Sequence, residues 1–111
     1  MTTKARADLI ERVRAALRSV PEVSEKRMFG STGFMIRGKL AIAARTERIM
    51  CRVDPMLQPD LLKRSGCRAV VMRGRTMKGY LYIDESAVAT DKALDYWIDL
   101  VLRQNRAIIA E

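Results

Sequence analysis

Histidine is absent from this chain of 111 residues. No side chain therefore titrates near neutral pH by default, and neither a Ser–His nor a Cys–His nucleophile pair can be built. The two cysteines, Cys51 and Cys67, are too few to hold a metal alone. Their surroundings, "IMCRV" and "SGCRAV", read as a strand interior and a strand entrance. Two reduced, buried thiols are expected. A disulfide, or a reactive thiol activated by the neighbouring arginine, is the alternative. No apolar run approaches the roughly 20 residues of a membrane helix. The N-terminal "MTTKARADLIERV" mixes charge into its apolar positions and lacks a signal-peptide core. A cytoplasmic protein without a membrane partner is the expectation.

Nucleotide signatures are missing as well. "GSTGFMIRGK" ends in Gly38-Lys39, but Leu40 stands where a P-loop needs Ser or Thr. The helix that would hold phosphate on its N-terminus is replaced by a strand. "GSTG" does not fit the dinucleotide fingerprint either. Internal repeats, low-complexity tracts and linkers are also lacking. No enzyme, catalytic residue, cofactor or metal is expected, although acid–base work by Asp or Glu is open in principle.

What is present suits one globular domain over residues 1–111: 49% hydrophobic and 31% charged residues exclude a disordered chain. The net charge of +8 is uneven. Residues 1–83 hold 18 basic and 7 acidic side chains, whereas residues 84–111 hold 3 and 6. A basic body with an acidic C-terminal helix suits a polyanion, or a homodimer in which the acidic helix of one copy meets the basic strands of another. A plain solvated surface is the simpler reading.

Periodicity supplies the elements. Leu9, Ile10, Val13, Leu17 and Val20 predict an amphipathic helix over residues 4–20, ending before Pro21. Its face of Arg6, Arg12, Arg14 and Arg18 is solvated or reads nucleic acid. "KRMF", "GFMIR", "KLAIAA" and "RIMCRV" read as strands, with a tight turn at Arg37-Gly38 or Gly38-Lys39. Strict alternation puts Phe34 with Ile36, Leu40 with Ile42, and Ile49 with Cys51 and Val53. Asp54 caps a short helix with Pro55 at its first position, Pro59 delays its regular part to Leu61, and Gly66 stops it. "CRAVVM" and "GYLYID" are two more strands, with Tyr80 and Tyr82 on one face. Thr90 or Asp91 caps a last helix with the stripe Leu94, Trp97, Ile98 and Val101. Asp91, Asp95 and Asp99 line another side of it, as a solvated or partner-facing stripe and a poor metal cage. The order is a helix, three or four strands, a short helix, two strands and a final helix. Burying three helix stripes against one sheet face gives an α+β two-layer sandwich.

Two stretches are candidates for binding. In "RMFGSTGFMIRGK", Gly30 and Gly33 bracket Ser31-Thr32, and Gly38 follows. A turn or bulge needing positive φ explains them; a loop offering main-chain N–H groups to a ligand is the alternative. In "MRGRTMKGY", Arg73, Arg75 and Lys78 flank a turn beside Gly79 and Tyr80. Together with Arg37 and Lys39 they form either ordinary charged hairpin tips or a surface for phosphates, nucleic acid or a partner's carboxylates.

"RMFGSTGFMIRGKLAIAA", "IMCRVD", "GRTMKGYLYID" and "ALDYWIDLVL", in that order from Arg27 to Leu102, resemble the N-terminal domain of the TfoX/Sxy family. Met28-Phe29-Gly30 and the Gly74-Arg75-x-Met77-x-Gly79 pattern are the specific parts; Ser31 stands where a second glycine is common. The resemblance implies an α-β(3)-α-β(2)-α, secretion-chaperone-like fold and supplies no catalytic residues. Full-length members resemble regulators of bacterial competence that act on transcription with the cyclic-AMP receptor protein and carry a second domain. The expectation here is a single-domain member, a small non-enzymatic regulatory or protein-interaction module possessing an unidentified protein partner. Direct nucleic-acid binding through the basic hairpins is the alternative.

Overall fold

The computed structural model describes residues 8–28 and 30–110. The expected helix start at residues 4–7, Arg6 and Phe29 lie outside the described residues. Helix α1 (Leu9–Ala16) opens where Asp8 accepts a hydrogen bond from the Ile10 amide at 3.0 Å. It ends earlier than the expected limit at residue 20. Leu17 and Val20 nevertheless continue the apolar stripe from the following turns, with Leu17 buried and Val20 packed against the core.

Four strands follow: β1 (Val23–Met28), β2 (Ser31–Ile36), β3 (Lys39–Ala44) and β4 (Arg48–Arg52). A 3₁₀ turn (Pro55–Leu57), capped by Asp54, leads into the single-turn α2 (Gln58–Leu61). Pro59 does not delay that helix. It sits in the first turn, where a missing N–H costs nothing. Gly66 then takes the left-handed conformation at φ +83°. Strands β5 (Cys67–Met72) and β6 (Arg75–Asp84), a second 3₁₀ turn (Glu85–Val88) and α3 (Asp91–Ala110) complete the chain. Thr90 caps α3, its hydroxyl accepting from the Ala93 amide at 3.1 Å.

The strands form one antiparallel sheet in the order β1-β2-β3-β4-β6-β5. After α2 the chain lays β5 at the edge and returns through β6, which pairs with β4. Arg37-Gly38 and Arg73-Gly74 each have two consecutive positive φ values, the requirement of the tight turn whose twist matches the strands. The register brings both hairpin tips to the same end of the sheet, three strand spacings or about 14 Å apart.

The helices cover one face. Phe34, Ile42, Ile49, Leu81 and Ile83 meet Leu9 and Val13 of α1 and Leu94, Trp97 and Val101 of α3, all buried. Each such side chain contributes roughly 1.5–3 kcal/mol of transfer free energy. This is the two-layer α+β arrangement expected from the pattern. Strict alternation fails at one point. Met35 pairs with Leu40 and Phe34 with Ile42, so Ala41 is an extra residue in β3. Leu40 is thereby turned away from Ile42 and onto the opposite face, because one inserted residue reverses the alternation. A second irregularity sets Val70 against residues 77–80 of β6.

Candidate functional site

The sheet face opposite the helices carries an apolar hollow. One register row crosses all six strands on that face: Lys26, Gly33, Ala43, Met50, Tyr82 and Arg68. A cation stands at each end, and the two smallest side chains stand near the middle. Met28, Leu40, Met77 and Tyr80 rise around them, enclosing about 410 Å³. The bulge at Ala41 is what delivers Leu40 to this wall. Gly33 is not a turn residue; it lies inside β2 without positive φ. Its role is close approach. A Cβ there would stand 2.8 Å from Met28 Cε and 3.2 Å from Leu40 Cδ1, so both side chains lie across the bare backbone.

Strand β4 places Arg48, Met50 and Arg52 outward while Ile49 and Cys51 enter the core. The Arg48 guanidinium lies over the Tyr82 ring at 4.0 Å from its centroid, and that of Arg52 over Tyr80 at 5.6 Å. Neither arginine has an ion pair within 4 Å among the described residues. Arg45 extends the series, donating from Nε to the Ser31 hydroxyl at 3.1 Å. Its guanidinium passes so close to Gly30 that a Cβ would lie 3.0 Å from it. Positive φ at Gly30 and contact with Arg45 thus account for the Gly30-Ser31 pair. Glu47 lies 3.6 Å from Arg45, and a main-chain amide hydrogen bond, helped by Thr46, holds its carboxyl below the usual range. At the far edge Asp84 is taken up by Arg68 at 2.6 Å.

The hairpin residues fall elsewhere. Tyr80 lines the hollow. Arg37 is tied to Glu22 at 3.2 Å, and the Arg37 amide also donates to the Glu22 carbonyl at 3.0 Å. Lys39, Arg73, Arg75 and Lys78 are exposed around the two tips. Gly38 occupies a tip, whereas Gly79, expected in a loop, lies within β6 at φ +86°. Arg45, Arg48, Arg52 and Met50 did not stand out in the sequence, and Met77 did so only within the Gly74-Arg75-x-Met77-x-Gly79 pattern. The alternation of "RIMCR" against that of "GYLYI" was the available signal.

Other features carry less chemistry. A hollow of about 470 Å³ beside α3 is lined by Arg64, Ser65, Ser86 and Tyr96, with Arg64 lying 4.3 Å over the Tyr96 ring. Cys51 is buried and Cys67 half-buried; both are free thiols, pushed up in pKa by burial. Among the described residues no three His, Cys, Asp or Glu side chains gather to hold a metal, and no helix is long and apolar enough to cross a membrane. In the acidic stripe of α3, Asp91 lies 3.5 Å from Arg12 and Asp99 2.9 Å from Arg103.

The family model of the TfoX N-terminal domain matches residues 15–105. Among solved structures, the crystal structure of a protein from Pseudomonas syringae, determined by the Northeast Structural Genomics Consortium, has a similar fold. Its TM-score is 0.59 at 11% identity, over 82% of this chain and 93% of that one. No curated protein matches the chain.

Proposed function

Because the chain belongs to the TfoX N-terminal domain family, we propose that it is a non-enzymatic regulatory module that binds a protein partner across the uncovered face of its sheet. The observation that carries this reading is the composition of that face. An antiparallel sheet turned to water ordinarily shows polar side chains outward. Here the outward positions include Met28, Leu40, Met50, Met77, Tyr80 and Tyr82. Methionine and tyrosine are the residues of adaptable protein-binding surfaces, the first for its flexible thioether and the second for its large area at low entropy cost. Among the described residues, the ionisable groups lining the hollow are arginine and tyrosine, and no carboxylate or histidine stands among them. Regulation linked to transcription, as in the competence regulators the chain resembles, would act through the partner held there.

The experiment is affinity capture from the native lysate with the tagged chain and two variants. Wild type is expected to recover a stoichiometric protein. Met50→Glu should lose it, and the paired Arg73→Glu/Arg75→Glu variant should keep it. Recovery of the same protein by Met50→Glu, with native circular dichroism, refutes the assignment of the face. Direct nucleic-acid binding is the second reading, supported by two cationic hairpin tips at one end of the sheet. It requires DNA or RNA binding at low salt that the Arg73→Glu/Arg75→Glu variant loses.

A further inference from the structure

We infer that the partner surface taken by this face is an acidic amphipathic segment: a helix whose apolar stripe enters the methionine-lined hollow and whose flanking carboxylates reach Arg45, Arg48 and Arg52. This deepens the protein-interaction reading and rests on it.

Charge complementarity carries the inference. Five cations, Lys26, Arg45, Arg48, Arg52 and Arg68, stand on the uncovered face or at its rim. Among the described residues, Glu47 lies near Arg45 and Asp84 is bound by Arg68. The excess is positive and is greatest around β4, where Arg48 and Arg52 flank Met50 on alternate positions. A partner must therefore be both apolar and anionic. Polyanions without an apolar stripe leave the hollow unfilled, and apolar partners without carboxylates leave guanidiniums desolvated, which is costly.

The arginines are arranged for carboxylates. A guanidinium held near a ring face by cation–π attraction keeps N–H donors free for a bidentate carboxylate pair. Contacts at 4.0 Å from the Tyr82 centroid and 5.6 Å from the Tyr80 centroid hold Arg48 and Arg52 on this face before any partner arrives. The closer contact disfavours single-stranded nucleic acid. Bases need bare aromatic faces to stack on, and here the Arg48 guanidinium lies over the Tyr82 ring. A helix fits the span. The face is six strands wide, about 24 Å between its outer strand axes, and a helix of roughly 10 Å diameter lies across its centre with room for side chains on both flanks. Helix-in-groove recognition reads anchors at i, i+3, i+4 and i+7, and it tolerates sequence variety where methionines line the groove.

The test uses the full chain and a fluorescein-labelled peptide of about five helical turns, leucine on one face and glutamate on the other, read by anisotropy. Comparison probes are its Glu→Gln analogue, polyglutamate of equal charge and an oligo-dT of equal charge. The Leu/Glu peptide is expected to bind, and to weaken in high salt. The Gln analogue and polyglutamate should each bind at least about tenfold more weakly. The Arg48→Glu/Arg52→Glu variant should lose about tenfold or more, and Arg73→Glu/Arg75→Glu, with the same charge change, about twofold at most. The inference is overturned if the Leu/Glu peptide does not bind, or if the Gln analogue binds equally. Tighter binding of oligo-dT through Arg48 and Arg52 also overturns it, as does a homodimer dispersed by Met50→Glu, which would make a second copy the occupant. Failure of the peptide with capture still lost in Met50→Glu removes the acidic segment and leaves the protein-interaction reading standing. Failure of both removes both.

Discussion

Replacing Gly79 by alanine should be among the most destabilising single-methyl additions in this chain, for reasons visible in its backbone angle and its close contacts. Gly79 has φ +86°. An L side chain in that region costs roughly 1–2 kcal/mol. A Cβ would also lie 3.0 Å from the Val53 carbonyl oxygen and 3.3 Å from Pro55 Cγ. These neighbours cannot easily give way. The Val53 amide donates to the Gly79 carbonyl at 2.8 Å, and Asp54 clamps the turn after it by accepting from the Met56 amide at 2.9 Å. The Gly79 amide donates to buried Gln58 Oε1 at 2.6 Å, and losing that bond strands a buried acceptor at a cost of about 1–3 kcal/mol. Together these place Gly79→Ala roughly 2–5 kcal/mol below wild type. Gly38 is the control. It has φ +81°, but a Cβ there meets nothing within 4 Å, so Gly38→Ala isolates the backbone cost. Urea unfolding with linear extrapolation measures both. The excess of Gly79→Ala over Gly38→Ala should be about 1–3 kcal/mol, or at least about 4 °C in melting temperature. Equal losses within about 0.5 kcal/mol would refute the packing described around Val53 and Gln58.

Asn105, buried on α3, donates from Nδ2 to the Ile36 carbonyl at 3.1 Å and ties the end of the helix to β2. Asn105→Ala should cost about 1–2 kcal/mol in the same urea assay; an unchanged midpoint would mean the tie contributes nothing. Burial raises the Cys51 thiol above its unfolded value. A raised thiol means the native state holds a proton that the unfolded chain releases, so the stability is complete below an unfolded pKa of about 8.5 and declines above it, by up to about 1.4 kcal/mol per pH unit. Cys51→Ala should flatten that alkaline decline, and a thiol reagent at pH 8 should label Cys67 well before Cys51. Prompt labelling of both thiols in the native protein would contradict the burial.

The element order, both hairpins and the caps at Asp54, Gly66 and Thr90 were legible because each depends on residues close together in sequence. The departures have non-local causes. Nothing in "KLAIAA" announces that Ala41 is the extra residue, since the bulge is defined by pairing with β2, and it reverses the face of Leu40. Gly33 was read as a turn residue because glycine beside Gly30-Ser31 suggests one. Its actual constraint comes from Met28 and Leu40 lying across it. The candidate site was missed for the same reason. Cations in turns are conspicuous, whereas Arg52 meets Tyr80 only because β6 inserts between β4 and β5, bringing together residues 28 positions apart. Tyr80 and Tyr82 were read as sharing a face, but Tyr80 was taken as a site residue for the hairpin rather than for that face.

The proposed binding face and the core are built from alternate residues of the same strands, and this makes binding and folding separable by mutation. Along β4, Ile49 and Cys51 are buried beneath the helices, while Arg48, Met50 and Arg52 face away. Most helix-side residues are branched or aromatic and pack rigidly, whereas the outward side chains are flexible methionines and arginines held near tyrosine rings. A partner on the proposed face would therefore meet an adaptable surface on a rigid frame, which would limit the conformational entropy lost on docking. The two edges of that frame differ. β1 presents Ser24, Glu25, Lys26 and Arg27, all exposed, and Arg14 bridges from α1 to Glu25 at 2.6 Å, holding the Glu25 carboxyl below its usual range. Such charge discourages another strand from pairing there. β5 instead leaves Val71 and Met72 58% and 56% exposed, and Met72 continues the wall of the hollow. The apolar surface thus runs from Met28 on β1 through the centre of the sheet to Met72 on β5, so a segment docked on the proposed face would bury most area by lying across the strands, beside the arginines of β4.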